Sequence, residues 1–302
     1  MRVVIALGGN AIARRGEDMT VENQRLNLRE ACQTLARTAD EHELVITHGN
    51  GPQVGLQALR DASYTATRPY PLDVLGAETQ GMIGYFIEIE MRNAMTHSHK
   101  LTTILTLTVV DPADPAFSHP TKFVGPVYTD VEADALAEEK GWHFAQDGEN
   151  IRRVVPSPVP QRVVQIDSVK RLLAAGHVVV SGGGGGIPVT LDDRGNMEGI
   201  EAVVDKDAAT SVLAESIDAD IFVMATDADA VFVDWGTPSA RALSEVTTTE
   251  LRSYDFVAGS MGPKVDAAVR FVEHTGRRAV IGRLSDLERL LAGTAGTTIV
   301  PA

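Results

Sequence analysis

The sequence predicts an α/β protein built on a mostly parallel sheet with helices on both faces. Short apolar runs alternate with segments of helical periodicity along the chain. Three glycine clusters, Gly8-Gly9-Asn10, Gly49-Asn50-Gly51 and Gly182 to Gly186, each follow an apolar run directly. That is where the carboxyl ends of parallel strands, and their ligands, are expected. The chain has 302 residues, 44% of them hydrophobic, enough for a large core or for two lobes sharing one sheet.

Val3 to Leu7 is a buried-strand run. Val21, Leu28, Cys32, Leu35 and Ala39 recur near helical spacing. Leu44 to Thr47 is the next strand and ends at His48-Gly49-Asn50-Gly51-Pro52. Met82, Tyr85, Phe86 and Ile89 mark an amphipathic helix, and Thr103 to Val110 reads as strand. From about Asp111 to Pro160 the periodicity weakens and prolines accumulate. A long irregular insertion of this kind is either a functional lid or a tolerated surface excursion. Regular alternation returns with a helix from about Val164, closed by Gly176 in the position of a left-handed cap. Val178 to Ser181 is a strand, a helix follows Asp205-Lys206-Asp207, and Ile221 to Ala225 is a strand ending in Thr226-Asp227. Thr247 with Glu250, and Ser285 with Glu288, have capping-box spacing. Pro263 suits the first position of a helix, and Ala279 to Ile281 and Thr297 to Val300 complete the strands.

The formal net charge is −14, which argues against a nucleic-acid binder. No apolar run reaches the ~18 residues of a membrane span, and the short N-terminal run stops at glycines, unlike a signal peptide. A cytoplasmic enzyme without membrane attachment is expected. Cys32, the only cysteine, excludes an intrachain disulfide and falls on an apolar helix face. His97 and His99 are expected in a solvated turn, with no metal-ligand spacing among the histidines.

Three glycine clusters after strands favour an anion site, because glycine lets backbone N–H groups approach an oxyanion closely. Neither the P-loop pattern nor the protein-kinase motifs are present, and no G-x-S-x-G elbow supports a serine hydrolase. Lysines must then neutralise the anion. The chain has six lysines against 21 arginines, yet keeps lysine at Lys122 in His119-Pro120-Thr121-Lys122, at Lys206 between Asp205 and Asp207, and at Lys264 after Gly262-Pro263. Each could be a solvated surface lysine. Near a glycine loop or helix start, each could equally hold phosphate. His48 could touch substrate or make a structural hydrogen bond beside its glycine turn.

With these segments the sequence resembles the carbamate kinases, within the amino acid kinase family. The resemblance rests on ALGGNAI at 6–12, HGNGPQVG at 48–55, PLDVLGAETQGMIGY at 71–85, DPADPAF at 111–117, PTKFVGP at 120–126, RRVVPSP at 152–158, SGGGGGIPV at 181–189, EAVVDKDAA at 201–209 and GSMGPKVDAA at 259–268. It implies an open αβα sandwich with a small protruding lid subdomain at about 111–160, in one domain that forms a homodimer. Residues 1–215 would bind carbamate or carbamoyl phosphate, and residues 216–302 would bind ATP or ADP with Mg²⁺. By position, Lys122 resembles the lid lysine, Lys206 and Lys264 the nucleotide-side lysines, and Asp207 the aspartate that organises them. Gly8, Gly9, Asn10, His48, Gly49, Asn50, Gly51, Gly184 and Gly185 would line the substrate pocket. Thr226, Asp227 and Met261, with Lys206 and Lys264, would border the nucleotide; no protein ligand for Mg²⁺ can be named. The first glycine loop carries no lysine, as in a carbamate kinase and unlike acetylglutamate kinase. A nucleotide or metabolite sensor on the same fold, or a kinase for another small acid, are the other classes to separate from this one.

Overall fold

The structure is a computed structural model that describes residues 1–14, 16–64, 69–96, 99–256 and 261–302. The chain opens with β1 (Arg2–Leu7), α1 (Val21–Glu41), β2 (Glu43–His48), α2 (Gly51–Ser63) and α3 (Leu72–Ala94). β3 (Lys100–Thr103), β4 (Leu107–Val110), β5 (Lys122–Tyr128), α4 (Asp130–Lys140), β6 (His143–Asp147) and β7 (Asn150–Val155) follow. Next come β8 (Pro160–Val163), α5 (Ile166–Ala174), β9 (His177–Val180), β10 (Ile187–Leu191), β11 (Met197–Gly199) and α6 (Lys206–Ser216). The C-terminal part holds β12 (Ile221–Thr226), β13 (Phe232–Val233), β14 (Arg241–Ala242), β15 (Glu245–Thr247), α7 (Thr248–Leu251), α8 (Gly262–Thr275), β16 (Ala279–Arg283), α9 (Leu287–Leu291) and β17 (Thr297–Val300).

Eight strands form the central sheet in the order β15-β17-β16-β12-β1-β2-β9-β3. Neighbours run parallel except at the β16–β17 junction. Successive side chains on a strand point to opposite faces. In β1, Val4 and Ala6 join the core under α5, α6 and α8, whereas Val3, Ile5 and Leu7 join the core under α1, α3 and α9. Both faces are thus covered, which explains why these strands read as unbroken apolar runs. Burying a side chain such as Leu7 or Phe222, both fully inaccessible, contributes about 1.5–3 kcal/mol. The outcome is the αβα sandwich that the sequence predicts.

Several local expectations need correction. Thr103 to Val110 is two strands in different sheets: β3 closes the central sheet, and β4 enters a four-stranded sheet ordered β11-β10-β4-β8. The break falls where the Gln80 amide replaces the ladder, accepting from the Thr106 N–H at 2.5 Å and donating to the Thr106 carbonyl at 3.3 Å. The 111–160 segment is not irregular. It holds a three-stranded antiparallel sheet, β5-β7-β6, and α4. Its strands mix half-buried and exposed positions, so their alternation is faint in the sequence. α4 carries a complete capping box between Thr129 and Glu132, a signal that was legible.

At the expected Ser285–Glu288 box, Asp286 precedes α9 without a side-chain cap, and Glu288 pairs with Arg37 at 3.0 Å. Thr247 does cap α7, accepting from the Glu250 N–H. Val21 lies at the exposed start of α1 instead of on its apolar face. On α3 the buried stripe runs through Ile83, Phe86, Ile87 and Met91; of the expected Met82, Tyr85, Phe86 and Ile89, Phe86 is buried, Met82 and Ile89 are half-buried and Tyr85 is exposed, so the stripe is rotated. Gly176 follows α5 at φ 77°, as its cap position predicted. His97 lies outside the described residues, while His99 bonds to Thr96 at 2.7 Å.

Candidate active site

The carboxyl ends of β1, β2, β9 and β12 share one edge of the sheet, and each feeds a loop singled out in the sequence. β1 leads into Gly8-Gly9-Asn10, β2 into Gly49-Asn50 and then Gly51 at the start of α2, β9 into Gly182 to Gly186, and β12 into Thr226-Asp227. The loops touch. A methyl placed on Gly49 would meet the Gly9 N at 3.6 Å and the Lys206 stem at 3.7 Å. Asn10 donates to the Asp227 carboxylate at 2.7 Å, joining the first glycine loop to the end of β12. Gly184 and Gly185 are needed as glycines. Both have positive φ, and a Cβ would overlap the Asn50 amide at 2.2 Å in one case and the Val204 carbonyl at 2.5 Å in the other.

Lys206 opens α6, with Asp205 as its N-cap. One Asp205 oxygen accepts from the N–H groups of Asp207 and Ala208, at 2.9 and 3.1 Å. Its other oxygen accepts from the Lys122 ammonium at 2.5 Å. Lys122 begins β5, so the small three-stranded sheet reaches back to the start of α6. Asp207 accepts from Lys206 at 2.5 Å on one oxygen and from Lys264 at 2.8 Å on the other. Lys264 lies in the first turn of α8, where Gly262 takes the first position and Pro263 the second, one later than expected. Three lysines far apart in sequence converge on two aspartates separated by one residue.

Burial opposes ionisation of Asp207, but the ammoniums of Lys206 and Lys264 outweigh it and hold this carboxyl well below the ordinary range. Burial pushes Lys206 down to about 8, against the pull of Asp207 and helped by repulsion from Lys264. Lys264 also resists burial, yet the Asp207 charge and hydrogen bond hold its ammonium above the usual lysine value. Asp205 is likewise held low, since Lys122 overcomes its burial.

His48 is buried, and burial lowers its pKa to about 4, so its ring is neutral. Its Nδ1 lies 3.1 Å from the Gly49 carbonyl, and its ring fills the space that a side chain on Gly183 would occupy. The structural role, left open by the sequence, is the one its geometry fits. Met261 accepts the first-turn N–H groups of Lys264 and Val265 through its carbonyl, at 3.1 and 3.0 Å. Gly259 and Ser260 of the same motif lie outside the described residues.

Sequence reasoning missed the groups that pin the glycine-rich loop. Gln80 donates to the Gly183 carbonyl at 2.8 Å, Thr106 accepts from the Gly182 N–H at 2.9 Å, and Thr108 donates to the Gly185 carbonyl at 2.9 Å. Gln80 stands inside PLDVLGAETQGMIGY, and the Thr106-x-Thr108 pattern was visible as polar positions in an apolar stretch. Asp205 was seen only as a flanking acid. A cavity of about 500 Å³ runs between Leu251–Phe256 and α8 but contains none of the three lysines, so convergent charge marks the site better than empty volume.

Among the described residues, no three acidic, histidine or cysteine side chains are grouped to hold a metal ion. Asp205 and Asp207 spend their oxygens on lysines and helix N–H groups. Such a donor set suits a Mg²⁺ carried mainly by nucleotide phosphates and water.

Residues 1–283 match the model of the amino acid kinase family. The chain is 54% identical over 299 residues to a carbamate kinase of Haemophilus influenzae, covering 99% of this chain and 96% of that protein. It is 46% identical to the carbamate kinase of Pyrococcus furiosus, with 99% of both chains covered. Among solved structures, carbamate kinase from Giardia lamblia bound to AMP-PNP superposes with a TM-score of 0.90 at 37% identity, covering 99% of this chain and 98% of that one. The chain belongs to the amino acid kinase family, and similarity over its whole length places it with the carbamate kinases.

Proposed function

We propose that this carbamate kinase transfers a phosphoryl group reversibly between ATP and carbamate at the Lys206–Asp207–Lys264 cluster, with Lys122 supplied by the lid. The observation that carries the reading is the buried Asp207 carboxylate shared by two largely buried lysines, with a third lysine facing the same helix start. Carbamate is already an anion and needs no general base, which suits a site whose histidine is buried and neutral. Phosphoryl transfer then depends on positioning and on charge stabilisation. Lys206, Lys264 and Lys122 surround the transferred group, and Asp207 limits repulsion between the first two. The Gly8-Gly9-Asn10 and Gly49-Asn50-Gly51 loops, with Gly184 and Gly185, receive carbamate or carbamoyl phosphate through N–H groups other than those of Gly8, Gly49 and Gly185, which donate to the Ala225, Leu7 and Gly182 carbonyls.

In this reading residues 1–215 hold the carbamoyl side, with the lid at about 111–160, and residues 216–302 hold ATP or ADP beside Thr226, Asp227 and Met261. Mg²⁺ bound with the nucleotide would neutralise its phosphates. The flux runs toward ATP from carbamoyl phosphate, as in arginine and carbamoyl-phosphate catabolism, in a cytoplasmic homodimer. Its partners are small molecules; the −14 charge disfavours nucleic acid, and no described helix is long and apolar enough to cross a membrane.

The test is ATP formation from ADP and carbamoyl phosphate with Mg²⁺, in wild type and in Lys122→Ala. Turnover in the variant should fall by at least ~10²-fold, the scale of losing one oxyanion donor. Near-normal turnover would remove Lys122 from the mechanism. Folded wild type that binds ADP but makes no ATP would overturn the reading.

A further inference from the structure

Two motif glycines have no part in the chemistry above. Gly55 ends HGNGPQVG, and Gly125 lies inside PTKFVGP. They meet in the structure. A Cβ on Gly55 would lie 1.9 Å from the Gly125 Cα and 2.1 Å from its N, so the lid strand rests directly on the backbone of α2. No side chain fits between them.

The lid is shaped for this contact. Gly125 has φ +75°, and the β5–β7 register shifts between Val124 and Val127, so a bulge pushes the Gly125 backbone toward α2. Arg152 on β7 fixes the bulge from behind, donating to the Gly125 carbonyl at 3.0 Å. Val54 beside Gly55 packs with Val124 and Val155 of the lid. Lys122 is three residues before Gly125 on the same strand, and Gly55 is one helical turn after Gly51 of the substrate loop. The path from phosphate pocket to lid lysine is therefore one turn of helix, one backbone contact and three residues of strand.

We propose that Gly55 and Gly125 form the seat that fixes where the lid presents Lys122, making Gly55 a positioning residue for phosphoryl transfer. The proposal rests on the role of Lys122 stated above. A methyl at Gly55 lifts the bulge and carries Lys122 with it, while the nucleotide-side lysines, on α6 and α8, stay in place. The contact is asymmetric: a Cβ on Gly125 would lie 3.4 Å from the Gly55 Cα, in ordinary contact. Space demands glycine on the helix, at Gly55, whereas Gly125 needs it for its φ of +75°.

The experiment is a double-mutant cycle. Gly55→Ala and, separately, Arg152→Ala are placed in wild type and in Lys122→Ala, and kcat, ADP affinity and folded fraction are measured. Gly55→Ala should lower kcat by about 10-fold or more when Lys122 is present, since ångström-scale misplacement has costs of this size. It should change kcat by less than about 2-fold in Lys122→Ala, because a residue acting through a partner loses its effect with that partner. ADP affinity should stay within about 2-fold throughout. Arg152→Ala should repeat the pattern at smaller amplitude, and decides alone if Gly55→Ala does not fold. Equal losses with and without Lys122, or no loss with it, overturn the seat. If Lys122→Ala alone matches wild type, the failure belongs to the proposed role of Lys122 instead.

Discussion

The Lys122 ammonium donates to the Asp205 carboxylate across 2.5 Å, although 83 residues separate them in the chain. The same carboxylate caps α6, the helix that begins with Lys206 and Asp207. One side chain thus ties the β5-β7-β6 sheet to the helix that bears Lys206 and Asp207.

Substitution separates the two jobs of Asp205. Asparagine caps as well as aspartate but carries no charge, whereas alanine does neither. In urea unfolding, Asp205→Ala should be about 1 kcal/mol less stable than Asp205→Asn, the usual value of a cap. Both should lose turnover by the same factor, ~10-fold or more, because each releases Lys122. Equal stability of the two variants would show that the cap contributes nothing.

In the proposed mechanism Lys206 stabilises phosphoryl charge only while protonated, and burial lowers its pKa to about 8. The kcat/KM profile of the free enzyme should therefore fall on the alkaline side near that pH. Asp207 raises the Lys206 pKa, so Asp207→Asn should move this limb to lower pH. Lys264 lowers it, so Lys264→Met should move the limb to higher pH. A shift of opposite sign in either would contradict the assignment. Asp207→Asn should also cost on the order of 3–5 kcal/mol in stability, since two buried ammoniums lose their counter-charge.

Away from the site, Glu90 of α3 is fully buried and accepts from Arg25 and Arg29 of α1, at 2.7 and 3.1 Å. Burial opposes its ionisation, but the two guanidiniums outweigh that and hold its carboxyl below the ordinary value. A depressed folded-state pKa adds stability above the unfolded value of about 4.3, and that stability is lost as pH falls through the folded value. Glu90→Gln should flatten this acid dependence. It should cost on the order of 2–3 kcal/mol at neutral pH, below the fully buried range because both arginines reach solvent. Unfolding curves between pH 3 and pH 7, on the order of one unit apart, would test both statements.

Cys32 is inaccessible, and burial raises its thiol to about 12, with the Glu90 charge acting in the same direction. Thiolate is the reactive form. Iodoacetamide at pH 8 should leave the native protein unlabelled by mass spectrometry and label it fully once unfolded. Rapid labelling of folded protein would contradict this placement.

The sequence alone determined the α/β class, because strands covered on both faces must be apolar throughout and helices covered on one face must be periodic. It also located the glycine loops and the three lysines, because backbone access to an anion requires glycine and a chain rich in arginine had kept lysine there. It did not resolve the β5-β7-β6 sheet, whose half-exposed strands weaken alternation, nor the break at Thr106, where the Gln80 amide bonds the backbone. Only the tertiary structure decided which aspartate serves which lysine, that His48 is buried against Gly183, and that Gly55 meets Gly125. Apart from the adjacent Lys206–Asp207 pair, these are contacts between residues far apart in the chain, and local propensity carries no information about a distance that exists only once the sheet has closed.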